Sequence, residues 1–174
     1  IPYMRRSRGR FKEIMAVRSS LSSRQQWEQM LLGTGSVEIG PEREEIVEIH
    51  GGEELCGYLH LAVEGGTGAR IRILQSESYV QKDGTSKDGK PLKTDRLDAE
   101  SGILQGYEDV YRPCGDGTKA ATEEYETFWF RTFRFIRLEI VTGRDRLRIR
   151  GFYFEETGYP LEIKTYVERS DSSF

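Results

Sequence analysis

One stretch of this sequence constrains the fold more than any other. Residues 128–140 read FWFRTFRFIRLEI, and most of their side chains are aromatic or β-branched. These residue types favour a pleated, half-buried strand, because their bulky side chains pack well on its surface. The stretch therefore predicts one long strand that borders a hydrophobic core.

Apolar and polar residues alternate with a period of two along much of the chain after residue 44. This pattern is typical of half-buried strands, and it covers residues 46–49, 58–63, 69–74, 102–111 and 147–155. The Gly-rich link between the second and third stretches predicts a hairpin, and a hairpin-like link follows the long strand. Many strands without alternating helices indicate a mainly-β chain, folded as an antiparallel β-sandwich of the jelly-roll or concanavalin-like type.

One short segment predicts a helix. Ser23 and Gln26 have the spacing of a capping box, and apolar residues follow at helical intervals from Trp27. Gly33 is a residue that commonly ends a helix. We therefore expect a short N-terminal helix over residues 23–32, with Trp27 anchored in the core.

The length of 174 residues fits one domain. We expect the sandwich over residues 44–156. An N-terminal lead-in over residues 1–43 holds the helix, and a C-terminal linker covers residues 157–174. The lead-in begins with a basic segment, residues 1–10, which we interpret as a solvated tail or the end of a strand from a preceding domain; a nucleic-acid-binding arm is the alternative.

Charge and hydropathy argue against two classes of protein. The chain has 26 Lys and Arg residues against 29 Asp and Glu residues, a net charge of −3, which is not the basic excess of a nucleic-acid binder. No apolar run approaches the roughly 20 residues that a membrane-spanning helix needs. The chain begins at Ile1 without a leader pattern, so we interpret it as a mature chain, a proteolytic piece or a cloned fragment. The sequence does not decide the compartment of the protein, or whether Cys56 and Cys114 form a disulfide.

Two charged residues fall on the apolar side of predicted strands. Arg134 follows the alternation of Ile136, and Glu77 follows that of Ile73. A buried charge is very costly unless it is paired. We expect Glu77 and Arg134 to meet as a structural buried pair, or each to find a polar partner at the edge of the sandwich. Bulges that turn both side chains outward are the alternative.

Residue types that carry catalysis are few or unspecific here. His50 and His60 are the only histidines, and neither stands in a zinc-binding or Ser-His-Asp pattern. Because 29 acidic residues make some close pair inevitable, no pair points to glycosidase chemistry by itself. We therefore assign no catalytic residue and no transition-metal site, and we expect no cofactor. Calcium alone is compatible with a small set of acidic residues: Asp95, Asp98, Asp109 and Asp116.

Aromatic residues near polar segments are the candidates for carbohydrate binding. Sugar sites use exposed aromatic rings beside hydrogen-bonding groups. The polar residues 81–99 predict a long loop, and long loops tend to be functional or mobile. The candidate binding residues are Tyr79, Tyr107, Tyr111 and Trp129.

Four stretches taken together resemble a known family. They are residues 57–61 (GYLHL), 70–77 (RIRILQSE), 107–111 (YEDVY) and 125–143, which contains FWFRTFRF. In this order and spacing they resemble the β-sandwich domain that precedes the catalytic barrel in glycoside hydrolase family 78, the α-L-rhamnosidases. The likeness covers about residues 55–155. The sequence departs from the commoner Gly-Phe-Arg-Tyr form at residues 132–135, which leaves the natural glycan open.

The resemblance implies a larger enzyme around this chain. Members of the family hydrolyse terminal α-L-rhamnosides with inversion, using two carboxyl groups on an (α/α)6 barrel. The barrel of the same parent protein would be the partner of this domain, residues 157–174 would lead into it, and none of the family's catalytic residues can be placed here. Three hypotheses follow: a non-catalytic sandwich that supports the barrel, an independent carbohydrate-binding module, and a small self-contained glycosidase.

Overall fold

The fold is described by a computed structural model that covers residues 3–19, 21–93, 95–115, 121–162 and 164–168. It has one helix, α1 (Arg24–Leu31), among the described residues. Its strands are β1 (Arg5–Gly9), β2 (Glu13–Val17), β3 (Val37–Ile39), β4 (Glu44–Gly65), β5 (Arg70–Ser76), β6 (Tyr79–Gln81), β7 (Gly102–Leu104), β8 (Tyr107–Tyr111), β9 (Glu123–Glu126), β10 (Arg131–Val141) and β11 (Leu147–Gly158). No helix in these ranges has the length and apolar character that crossing a membrane requires.

The 22-residue strand β4 joins the two layers of the sandwich. Its residues 44–57 pair with β10, and its residues 57–65 pair with β11. Strand β2 pairs with residues 47–50 of β4, within the segment that also pairs with β10. Strand β9 pairs with residues 60–63 of β4, within the segment that also pairs with β11. Strands β5 and β8 extend the first layer beyond β10, while β1 and β3 pair with β11 in the second. All these pairings are antiparallel, so the predicted mainly-β sandwich with one short helix is confirmed.

Side chains from both layers fill one core. Val47 and Leu138 of the first layer and Leu61 and Ile149 of the second are all fully buried in it. Their alternation along each strand is what the period-two pattern predicted. Trp27 of α1 is buried in the same core, and the predicted capping box of Ser23 and Gln26 is present at the start of the helix.

The predicted hairpin across the Gly-rich link is wrong. Strand β5 pairs with β10 and β8, whereas the preceding part of β4 pairs with β11 and β9. The link at residues 66–69 therefore carries the chain from one layer to the other. The link at residues 142–146 does the same between β10 and β11. Alternation shows which side of a strand is buried, but it does not show which strand lies next to it.

The segment that precedes β4 contributes to both layers. Strands β1 and β3 pair with β11, and β2 pairs with β4. Residues 1–43 were expected to lead into the sandwich, but their described strands are part of its sheets. At the other end, β11 continues to Gly158, and the described residues beyond it have no regular secondary structure.

A small second core lies on the outer side of the first layer, beneath the ribbon of β6 and β7. Tyr79 belongs to it, is only 1% exposed, and donates its hydroxyl to Glu48 Oε2 at 2.9 Å. Arg18 donates to both oxygens of the same buried carboxylate, at 3.2 and 2.8 Å. Burial and the neighbouring carboxylate raise the pKa of Tyr79. Its ring is covered, so the sequence-based assignment of Tyr79 to a sugar-binding surface is incorrect.

The Tyr79 hydroxyl should therefore contribute to stability. We expect Tyr79→Phe to lower the free energy of unfolding by about 1–3 kcal/mol, because the buried Glu48 carboxylate loses one donor. The control is Tyr107→Phe, which removes a hydroxyl from a side chain that is 73% exposed and should change stability by less than about 0.5 kcal/mol. Urea unfolding of both variants measures the difference. Equal losses in the two variants would contradict the role given to Tyr79.

Candidate functional site

A cleft of about 820 Å³ opens where β5 ends and where β8 and β10 begin. This volume lies within the range of about 300–1,000 Å³ that is usual for small-molecule sites. The residues that line it are Gln75, Ser76, Glu77, Ser78, Val80, Ser86, Lys90, Pro91, Lys93, Gln105, Gly106, Tyr107, Trp129, Arg131 and Thr132.

A close approach of two backbone segments shapes the inner end of the cleft. A Cβ atom on Gly106 would lie 1.8 Å from the carbonyl oxygen of Gln75, so only glycine fits there. Ser76 adds a hydrogen bond from its hydroxyl to the carbonyl oxygen of Gln105, at 2.7 Å. Together these contacts hold Tyr107 opposite Gln75 in the register of β8 and β5.

Three polar side chains form a linked group at the base of the cleft. Asp109 accepts a hydrogen bond from Gln75 Nε2 at 2.9 Å and another from an Arg131 terminal nitrogen at 3.0 Å. Each carboxylate oxygen of Asp109 therefore has one side-chain donor. Gln75 Oε1 and Arg131 Nε are buried and have no hydrogen-bond partner among the described residues.

Two aromatic rings border the cleft. Tyr107 is 73% exposed, and the Arg131 guanidinium lies 5.1 Å from the centre of its ring. Trp129 is 61% exposed and stacks on Phe130 at 5.2 Å. Phe130 in turn meets Tyr58 edge to face at 5.8 Å. The exposed indole therefore rests on a packed aromatic pair.

The structure brings together two of the four predicted binding residues. Tyr107 and Trp129 line the same cleft. Tyr111 is half-buried farther along β8, where it stacks on Tyr125 at 4.6 Å and donates its hydroxyl to Glu123 at 2.8 Å. Burial, together with the Glu123 carboxylate, raises the pKa of Tyr111. Tyr79, as described above, is covered by the second core.

The predicted long loop provides one side of the cleft. Ser86, Lys90, Pro91 and Lys93 belong to it and line the cleft. The Lys93 ammonium lies 3.8 Å from the Glu77 carboxylate and forms a long ion pair with it. Thr94 of the same loop lies outside the described residues.

Glu77 and Arg134 do not meet, and each has another polar neighbour. Arg134 Nε donates to His50 Nε2 at 3.0 Å. The pairing of β10 with β4 jumps from Phe133 to Phe135, while residues 51–54 of β4 make an excursion opposite Arg134. This irregularity breaks the alternation on which the expected direct pair depended. Arg134 therefore has a separate polar partner, whereas the Glu77 side chain is 52% exposed and faces outward.

Gln75 was not identified from the sequence as a site residue, and Asp109 was considered only as a calcium ligand, although both gave a signal. Gln75 follows the alternation of Ile71 and Ile73 on β5, and Asp109 lies between Tyr107 and Tyr111 on the same side of β8. A polar residue at an inward position is the same signal that drew attention to Glu77. Arg131 gave no such signal, because the register shift between Phe133 and Phe135 breaks the alternation that would have shown which side of β10 it faces.

The acidic residues considered for calcium have other roles where they are described. Asp95 and Asp98 accept hydrogen bonds from backbone N–H groups of their own turns, and Asp109 binds Gln75 and Arg131. Asp116 lies outside the described residues. Within the described ranges, no group of three or more His, Cys, Asp or Glu residues is arranged to hold a metal ion. Cys56 and Cys114 are both free thiols.

His50 lies beside Arg134 and is buried against Phe135. Its Nε2 accepts the hydrogen bond from Arg134, so its proton is on Nδ1, which lies 3.2 Å from the Glu13 carboxylate. Burial lowers the pKa of His50 below its ordinary value of 6.5; the Glu13 contact opposes this shift, and the Arg134 cation adds to it. In the unfolded chain the ring takes up a proton near pH 6.5 that the folded state resists.

Folding stability should therefore fall as the pH drops below about 6.5, because the unfolded state then binds more protons. We expect His50→Gln to lose less unfolding free energy than the unchanged protein between pH 8 and pH 5.5. Urea unfolding of both proteins at the two pH values measures this loss. The difference in unfolding free energy between the two proteins at pH 8 gives the effect of the substitution itself, which is subtracted. Equal losses in both proteins would show that His50 does not cause the dependence.

Three solved structures show what the fold is similar to. The rhamnosidase from Klebsiella oxytoca, solved with rhamnose bound, has a TM-score of 0.53 and 14% identity over 90% of this chain and 30% of its own. The GH78-family rhamnosidase of Bacillus sp. GL1 has a TM-score of 0.48 and 14% identity over 79% of this chain and 12% of its own. The lectin domain of lectinolysin, solved with Lewis b antigen, has a TM-score of 0.39 and 9% identity over 74% of both chains.

Other comparisons add no relative. No family model matches the chain, and no curated protein matches it. The chain spans less than a third of the Klebsiella oxytoca rhamnosidase and about an eighth of the Bacillus enzyme. At 14% identity the likeness concerns the fold alone. The chain therefore has the fold of a domain that a larger rhamnosidase contains, as the resemblance in its sequence implied.

Proposed function

We propose that this chain is a non-catalytic β-sandwich domain of an α-L-rhamnosidase-like glycoside hydrolase. In that protein it supports a catalytic (α/α)6 barrel that hydrolyses terminal α-L-rhamnosides with inversion. The observation that carries the proposal is the shared fold, which extends over 90% of this chain but only 30% of the rhamnosidase. A support domain is expected to match in this way, as one part of a longer enzyme.

The chemistry of the cleft supports a non-catalytic role. An inverting glycosidase needs two carboxyl groups about 6.5–9.5 Å apart, one of them protonated so that it can act as an acid. Asp109 has a side-chain donor on each oxygen. Glu77 lies beside the Lys93 ammonium. Both carboxylates therefore already interact with neighbouring side chains of this domain.

One end of the sandwich presents a surface that a neighbouring domain can cover. Gly57 pairs with Arg131 at the start of β10 and with Glu156 near the end of β11, so both strands meet at this end. The chain that follows β11 carries exposed apolar side chains, namely Tyr159, Leu161, Tyr166 and Val167. Exposed apolar surface of this kind is typical of contacts with another protein unit.

A second candidate is an independent carbohydrate-binding module. The cleft favours it, because it combines the exposed rings of Trp129 and Tyr107 with the polar group of Gln75, Asp109 and Arg131. The two candidates differ in what the coding sequence around this chain should contain. They also differ in sugar binding: the independent module should bind sugar as an isolated chain, whereas the support domain need not.

The coding sequence on both sides of this chain is the direct test. We expect it to continue into several hundred mostly helical residues, and we expect the longer protein to hydrolyse an aryl α-L-rhamnoside with inversion. The chain alone should show no turnover under the same assay. Turnover by the chain alone, abolished by one Asp or Glu substitution, would instead establish a self-contained glycosidase. An open reading frame without a further domain would favour the independent module.

A further inference from the structure

We propose that a second pocket, on the outer face of the second layer, binds a small aromatic carboxylate. The ring of the ligand fills a gap in this face at Ala62 and Gly151, and its carboxylate pairs with Arg8 and Arg10. The pocket has a volume of about 480 Å³, which is within the usual range for small-molecule sites, and it shares no lining residue with the cleft.

The floor of the pocket is a place where two adjacent strands carry almost no side chain. Both neighbours of Ala62 on β4 are buried in the core, so Ala62 itself faces outward. Gly151 of β11 pairs with Ala62, and a Cβ atom on Gly151 would meet nothing closer than the Ala62 Cβ atom, at 3.9 Å. Leu31 and Leu32 at the end of α1 give the pocket an apolar side. A flat hydrophobic group therefore fits on this floor.

Two arginines beside β11 point to the same face. Gly9 of β1 is turned inward, because a Cβ atom there would overlap the Phe154 ring. Phe11 is buried in the core as well. Strand alternation therefore turns Arg8 and Arg10 outward, and both are exposed residues that line the pocket.

The surface beside these arginines is filled by aromatic rings up to the pocket. The Arg6 guanidinium lies 3.8 Å from the centre of the Tyr58 ring. The Arg8 guanidinium lies at the same distance from the centre of the Tyr153 ring, which lines the pocket. Among the described residues, no ring occupies the corresponding place beside Arg10. An aromatic ring of a ligand would continue this row of rings beneath the arginines.

Arg8 and Arg10 are available to an anionic group. Neither forms an ion pair within the described parts of the chain, whereas Arg150, which also lines the pocket, lies 3.2 Å from Glu64. A guanidinium donates from a fixed planar fork that matches a carboxylate. Because the Arg8 guanidinium is stacked on Tyr153, its fork is already held in one orientation.

One carboxylate of the pocket sets the direction in which the ligand lies. Glu124 of β9 pairs with Ala62 and lines the pocket on the side away from β1. Repulsion from Glu124 keeps an anionic group on the β1 side, beside the two unpaired arginines. The ring of the ligand then lies over Ala62 and Gly151, between the opposite charges of the two sides.

An NMR titration of the whole chain at neutral pH tests the proposal with three probes. Benzoate carries the ring and the carboxylate, acetate carries only the carboxylate, and benzamide carries the ring without the charge. Benzoate should give saturable shifts at the backbone amides of Ala62 and Gly151, with an affinity at least about tenfold higher than that of the other two probes. Equal binding of acetate or of benzamide would overturn the proposal, as would the absence of saturable shifts with benzoate.

Two variants remove the parts of the site separately. Gly151→Phe fills the gap with a ring of the protein itself and should abolish benzoate binding. Arg10→Gln should weaken it at least about tenfold, because one charge-assisted contact is lost. The matched control is Arg5→Gln, which removes the same charge from the same segment but does not line the pocket; its affinity should be unchanged. Urea unfolding of each variant shows whether the fold is retained.

The variants decide between the pocket and a general attraction to the basic segment. If Arg5→Gln weakened benzoate binding as much as Arg10→Gln, the pocket would not be the site. Unchanged binding by a folded Gly151→Phe variant would overturn the proposal as well. If that variant did not fold, the two exposed arginines would still decide the question. The result is independent of the function proposed above, because hydrolysis of a rhamnoside by a longer protein requires nothing of this pocket.

Discussion

The structure depends on one strand that belongs to both layers of the sandwich. Because β4 pairs with β10 along its first part and with β11 along its second, the backbone hydrogen bonds of a single segment fix the relative position of both layers. The strand can pass the point where both partners meet only because Gly57 has no side chain. A Cβ atom there would lie 2.7 Å from the carbonyl oxygen of Glu155. This close contact lies at the end of the sandwich that holds the cleft, where Gly57 pairs with Arg131.

Local features of the fold could be read from the sequence, and non-local ones could not. The helix was predictable because its signals, Ser23, Gln26 and the spacing from Trp27, all lie within one turn of each other. The link after β4 was misjudged as a hairpin because β5 pairs with residues of β10 that lie 59 to 71 positions further along the chain. Alternation gives the buried side of a strand, which is a local property, and says nothing about neighbours.

The same division holds for the cleft. Tyr107 and Trp129 could be proposed because aromatic residues beside polar segments are visible in a sequence. Tyr79 was a wrong choice because its burial depends on the distant Glu48, with which it shares a hydrogen bond. Arg134 took His50 as its partner because an excursion of β4 changed the register opposite it. The linked group of Gln75, Asp109 and Arg131 comes from three strands, so only the folded chain reveals it.

The pairing of β1 with β11 has a mechanical consequence. Arg5 lies opposite Gly158, so the chain enters and leaves this sandwich at neighbouring points. A pull applied through the flanking chain would act on the antiparallel pair from one end. It would peel the hydrogen bonds apart one after another, starting at Arg5, instead of shearing them all at once. A domain built in this way transmits little tension between its neighbours before its first strand yields.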